Sequence, residues 1–128
     1  MTAPPHDPQA ELEVIGLALD NGHNYTLPDL TAEDFHVPAH QQLWDQAVNA
    51  PRPIRPADIP EPLRPIARNA VTAWTAGTPT RGVARVRACA QARRAITAAA
   101  ELDRAARNVD LDAAYDIAHR VVADLGAL

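Results

Sequence analysis

One stretch of the chain leaves little choice of backbone. From Thr80 to Arg107 it runs 28 residues without proline, and Gly82 is its single glycine. Ten of those positions are alanine, the residue that loses least side-chain freedom on entering a helix. Within the stretch Ala88, Ala92, Ala95, Ala99, Leu102 and Ala106 recur at intervals of four and three, which is the spacing of a helix-packing seam. After "NVD" at 108–110, a second helix carries Leu111, Ala114, Tyr115, Ala118, Val121, Val122 and Leu125 on one face. So short a link turns the second helix back along the first, as an antiparallel helical hairpin. Alanine buries little area, so the seam is stabilising only if a neighbouring backbone comes close. Cys89, Ile96 and Ala100 widen the apolar arc beyond one partner helix. The expected cover is either the first part of the chain or a second copy; proline and glycine at 77–82 set the hairpin apart and favour the copy, with Ala88, Ala92, Ala95, Ala99, Leu102, Ala106, Leu111, Tyr115, Ala118 and Val122 as the oligomer interface.

The remainder reads as a small helical head. Asp7 caps a helix that opens on Pro8 and repeats Leu12, Ile15, Gly16 and Leu19 on one face, with "DNG" at 20–22 as its stop. "TAED" at 31–34 is a one-turn capping sequence, Thr31 accepting from an amide three residues on, and Phe35 plugs the core. Pro38 opens a further helix with His40, Leu43, Trp44, Ala47 and Val48 inward, His40 tying down a backbone carbonyl. Six prolines between 51 and 65 then predict an extended, stiff strap. The last head helix bears Leu63, Ile66, Ala67, Ala70, Val71 and Trp74, and "AGTPT" ends it. The expected class is therefore all-α, with a head over 1–76, a strap at 51–65 and a hairpin over 77–128. The expected core is Leu12, Ile15, Gly16, Leu19, Phe35, His40, Trp44 and Trp74.

Charge is distributed unevenly. Residues 1–51 carry eight acids and no Arg or Lys, a balance of −8; residues 52–107 reach +7 and residues 108–128 fall to −3. Every cation is arginine. This asymmetry suits an acidic partner, nucleic acid or self-association. Arg52, Arg55, Arg64, Arg68 and Arg81 are the candidate nucleic-acid contacts. The dense run Arg85, Arg87, Arg93, Arg94 does not form one helical stripe, and is expected to be the solvated outside of a packing helix.

Catalytic and metal chemistry find little support in the residues. His36 and His40 are separated by Pro38, which breaks the common helical face that chelation at that spacing needs, so no metal is expected. His119 with Asp112 and Asp116 reads as a solvated face, and Cys89 as a small apolar filler. The single cysteine gives no disulfide framework, and no signal peptide or membrane-length apolar run is legible; the chain is expected in the cytoplasm, without a membrane.

Taken in order, "HDPQAELEVIGLALDN", "LTAEDFHVPAHQQLWDQAV" and "VARVRACAQARRAITAAAELDRAARNVDLDAAYDIAHRVVADL" resemble the N-terminal domain of DnaB-type replicative DNA helicases. The matching positions are Ala10, Glu11, Gly16, Phe35, His40, Trp44, Arg93, Arg94, Leu111, Ala114, Ala118 and Val121, and the likeness covers residues 5–48 and 80–125. The resemblance implies an all-α head with an extended hairpin that pairs between neighbouring subunits of a ring. It further implies a non-catalytic tier that receives a DnaG-type primase or a helicase loader, without a cofactor. Two departures stand out. The family continues into an ATP-hydrolysing motor, whereas this sequence has no "GxxxxGK[ST]" phosphate loop and no lysine to occupy one, so it is not expected to be an enzyme. The strap also replaces a Gly-Gly-containing helix start. Three roles follow as expectations: a helicase N-terminal domain acting in replication, a stand-alone adaptor that pairs with a full-length helicase, or a small Arg-dependent DNA-associated helical protein. Direct DNA binding is expected to be weak or absent.

Overall fold

The structure is a computed structural model that describes residues 4–20, 27–50, 54–76 and 79–126. Among the described residues it is all-helical: α1 (Pro8–Leu19), α2 (Pro38–Asn49), α3 (Arg64–Ala76), α4 (Pro79–Arg107) and α5 (Leu111–Gly126), with three one-turn 3-10 helices at Ala32–Asp34, Pro56–Asp58 and Glu61–Leu63. None of these helices is long and apolar enough to cross a membrane. The chain divides into two compact units, His6–Ala90 and Met1–Pro5 with Gln91–Leu128.

In the first unit each helix starts where local chemistry dictates. The Asp7 carboxylate accepts from the Ala10 amide at 3.1 Å, and Pro8 follows as the first helical residue, where its missing N–H costs nothing. Asp34 closes the first 3-10 turn by accepting from the Thr31 amide at 2.9 Å. Pro38 opens α2 in the same way as Pro8 opens α1. The segment expected as an extended strap, with helix resuming between Pro62 and Pro65, also carries the turns Pro56–Asp58 and Glu61–Leu63. Proline at the first position of a turn favours this, and Asp58 accepts from the Arg55 amide at 2.8 Å. Gly22, Arg52 and Gly77, on which parts of the sequence reading fell, lie outside the described residues.

The core forms around α1, which is buried nearly all round. Val14, Ile15, Ala18, Phe35, Leu43, Ala47 and Ala70 are fully shielded, and Trp44 sends its indole N–H to the Leu30 carbonyl at 3.2 Å. Phe35 and Trp44 meet with ring centroids 5.1 Å apart. α1 crosses α3 at very close range: a Cβ on Gly16 would lie 2.1 Å from the Ala70 carbonyl oxygen. Of the expected core residues, Leu12 and Trp74 are only half-buried. The Trp74 indole reaches the Asp20 carboxylate instead of filling the interior, and Ala73 takes the buried place while Val71 is exposed.

The unit boundary falls inside α4 and not at residues 76/77. The first turns of α4 belong to the head, because Gly82 approaches Ala10 and Val14 and Val86 joins the core cluster. Cys89, also in this part of α4, is buried.

The second unit contains the rest of α4 and α5. Asn108–Asp110 link them through a tight C-terminal cap, in which the Asp110 amide bonds to the Ala105 carbonyl at 2.9 Å and the Val109 amide to the Ala106 carbonyl at 3.0 Å. Such a cap needs a left-handed residue, and the occupant is Val109, at φ 53°. Asp110 then caps α5, accepting from the Ala113 amide at 3.1 Å. Arg120 pairs with Glu101, and Gln91, Arg94 and Ala95 share a small crevice with Val121 and Asp124.

Candidate interaction surfaces

Three places bring chemistry-bearing side chains together. The first is a buried pair in the head. His40, expected to bind a backbone carbonyl, instead holds the Glu11 carboxylate, with Nδ1 2.8 Å from Oε1. Oε2 accepts from the His36 amide at 3.0 Å, and Oε1 lies 3.4 Å from the Val37 amide. Glu11 thus binds the amides that open α2, where the helix dipole favours negative charge. Burial alone would raise the Glu11 pKa; the His40 hydrogen bond, the two amides and the attraction of His40 outweigh it, and the carboxyl titrates below its ordinary value. With both side chains buried and these bonds directed at α2, the pair acts as a structural pin. The sequence signal was an acid set among the apolar residues Ala10, Val14 and Ile15 of α1, but its partner lies 29 residues on.

The second place is a groove of about 690 Å³ in the head, lined by Leu19, Ile54, Arg55, Ile59, Arg64, Ala67, Arg68, Val71 and Thr72. The proline-rich segment forms one side of it and α3 the other. Ile54 and Ile59 are buried. Arg64 is steadied by an Nε bond to the Ile59 carbonyl at 3.1 Å. Of the candidate nucleic-acid residues, Arg55, Arg64 and Arg68 converge here and Arg81 does not line the groove, while Arg52 lies outside the described residues. The isoleucines between prolines were the available clue, and the sequence reading passed over them.

The third place is the apolar surface of α4 and α5. Of the expected interface residues, Ala88, Ala99, Ala106, Leu111, Tyr115, Ala118 and Val122 are exposed, and Ala92, Ala95 and Leu102 are half-buried. Leu111, Tyr115 and Val122 remain 71%, 66% and 70% accessible, far beyond what isolated surface side chains of that size need explain. Ile96 is exposed as well, while Ile117, absent from the expected face, is half-buried on α5.

The arginine run is anchored locally. Arg85 pairs with Asp7 at 3.3 Å, Arg87 donates to the Asp29 carbonyl at 3.4 Å, and Arg93 donates to the Pro5 carbonyl at 2.8 Å. Arg107 pairs with Asp103 four residues before it, at 2.9 Å. Glu101, which shares a face of α4 with Arg94, takes Arg120 of α5. Among the described residues no group of three His, Cys, Asp or Glu side chains is placed to hold a metal ion. Comparisons with protein-family models, with curated proteins and with solved structures give no match.

Proposed function

We propose that this chain is a non-catalytic assembly module of the DnaB-type helicase kind: a cytoplasmic N-terminal domain that joins copies through α4 and α5 and docks a primase or loader during DNA replication. The observation that carries the reading is the row Leu111, Tyr115, Ala118 and Val122, exposed on α5 and apolar throughout. At about 100° per residue, the seam Ala92, Ala95, Ala99, Leu102 and Ala106 lies roughly a quarter turn round α4 from the side carrying Gln91, Arg94 and Glu101. The α5 row is displaced in the same sense from Arg120, Val121 and Asp124. In an antiparallel hairpin displacements of the same sense bring both rows to the same side, the α5 row lying farther round, at about 145°. Two such faces pressed together make a four-helix arrangement, in which alanines let backbones approach and Tyr115 supplies an anchor.

Sedimentation across concentration tests this directly. The expected result is a dimer or higher oligomer that Ala99→Glu or Tyr115→Glu converts to monomer while helicity is unchanged, because a carboxylate in a close seam would be buried without a partner. Ala99 is the better position than Ala95, whose side also faces the α5 crevice. A wild-type chain that stays monomeric at every concentration overturns the proposal, and the cognate primase should co-sediment only with the oligomer.

A further inference from the structure

The groove between the proline-rich segment and α3 is a second interaction surface, chemically distinct from the α4/α5 face. Its floor is Leu19, Ile54 and Ile59, at 8%, 7% and 4% exposure, and Val71 stands on its edge at 42%. Three of its nine lining residues are arginines and none is acidic. Arg64 is held beside the floor by the Ile59 carbonyl, while Arg55 and Arg68 form no ion pair among the described residues. An apolar trough ringed by guanidinium groups selects a ligand with two faces, one of carbon and one of carboxylate, since arginine matches a carboxylate with two parallel hydrogen bonds.

We propose that this groove holds an acidic amphipathic helix of a partner protein, with leucine-like side chains on the floor and Asp or Glu carboxylates on Arg55 and Arg68. No aromatic side chain lines the groove, so a nucleic-acid base has nothing to stack on. Leu19, Ile54 and Ile59 are buried while Arg55 and Arg68 are exposed, whereas a membrane surface would require the apolar side chains to project. The volume lies in the range that takes a few anchoring side chains. Docking an apolar helix face in a groove leaves the charged face outward, where the rim can read it.

The test is fluorescence anisotropy with a fluorescein-labelled peptide of four Glu-Leu-Leu-Glu repeats, measured on the full chain. Saturable binding is expected, weakened at least about tenfold in the double variant Arg55→Glu/Arg68→Glu and to a similar degree in Val71→Asp, because the arginines and the apolar edge act together. Circular dichroism should show both variants folded, and sedimentation should show their mass unchanged, so failure here is separable from failure of the assembly reading. A lysine peptide of the same pattern, and one with serine for leucine, should not bind. The inference is overturned if the acidic peptide does not bind, if the variants bind it as well as the parent does, or if the lysine peptide competes equally. It is equally overturned if the double variant dissociates an oligomer, which would make a second copy the occupant, or if the same substitutions abolish binding to anionic vesicles or DNA while leaving the peptide bound.

Discussion

Placing a single methyl group at Gly16 tests the head packing most sharply. The added Cβ would lie 2.1 Å from the Ala70 oxygen, 2.8 Å from the Ala70 carbonyl carbon and 2.5 Å from the Trp74 Cβ. Two of these three are backbone atoms, so no rotamer change relieves the contact, and α1 and α3 must separate by roughly an ångström across a fully packed core. Such overpacking costs about 1 to 3 kcal/mol, with a backbone clash at the upper end. Against it, Gly→Ala inside a helix gains about 1 kcal/mol from propensity. The net expectation for Gly16→Ala is a loss of about 2 kcal/mol, or a fall in Tm of roughly 8 °C at about 4 °C per kcal/mol for a chain of this size. Gly82→Ala is the internal control: its nearest neighbour, at 3.2 Å, is the Glu13 Oε2 at the tip of a flexible side chain. That variant should be neutral or up to about 1 kcal/mol more stable, having the same propensity gain without the clash. Thermal and urea melts followed by circular dichroism read both. If Gly16→Ala proves as stable as the parent, the close α1–α3 crossing is wrong and so is the reason given for the glycine.

Two further outcomes follow from particular residues. Val109→Gly should raise stability by roughly 0.5 kcal/mol, because relief of about 1 to 2 kcal/mol of left-handed strain exceeds the added freedom of the unfolded chain; a lower Tm would count against the strain. Glu11→Gln should cost about 1.5 to 3 kcal/mol at neutral pH, the worth of hydrogen bonds to a charged acceptor. Since the Glu11 pKa is depressed on folding, its contribution is complete above the ordinary value of 4.5 and is lost as pH falls through the lowered one. The parent should therefore lose Tm towards about pH 3 more steeply than Glu11→Gln does, and parallel acid limbs would refute the pin.

The helices were legible because their signals are local. Asp7 before Pro8, Pro38 before the His40 stripe and the proline-free run to Arg107 each announce an element without knowledge of the fold. The all-α class followed from these and from the alanine content. Contacts across long sequence separations were not legible: Glu11 on the start of α2, Trp74 on Asp20, and the burial of Ile54 and Ile59 in the head core. The strap was misjudged as extended because proline forbids the interior of a helix but not its first turn. The head boundary shifted for a related reason. A helix can pass from one packing environment to another without any break in sequence, and only tertiary neighbours such as Val14 reveal where the head ends along α4.

The solitary thiol of Cys89 gives the head a chemical clock. Buried in the first part of α4, it can react with an alkylating reagent only when its cover opens, so the labelling rate reports opening around that stretch of the helix. A substitution that loosens the α1–α3 crossing should hasten alkylation, whereas one on the exposed row of α5 should alter the mass of the assembly and leave alkylation of the thiol as slow as before.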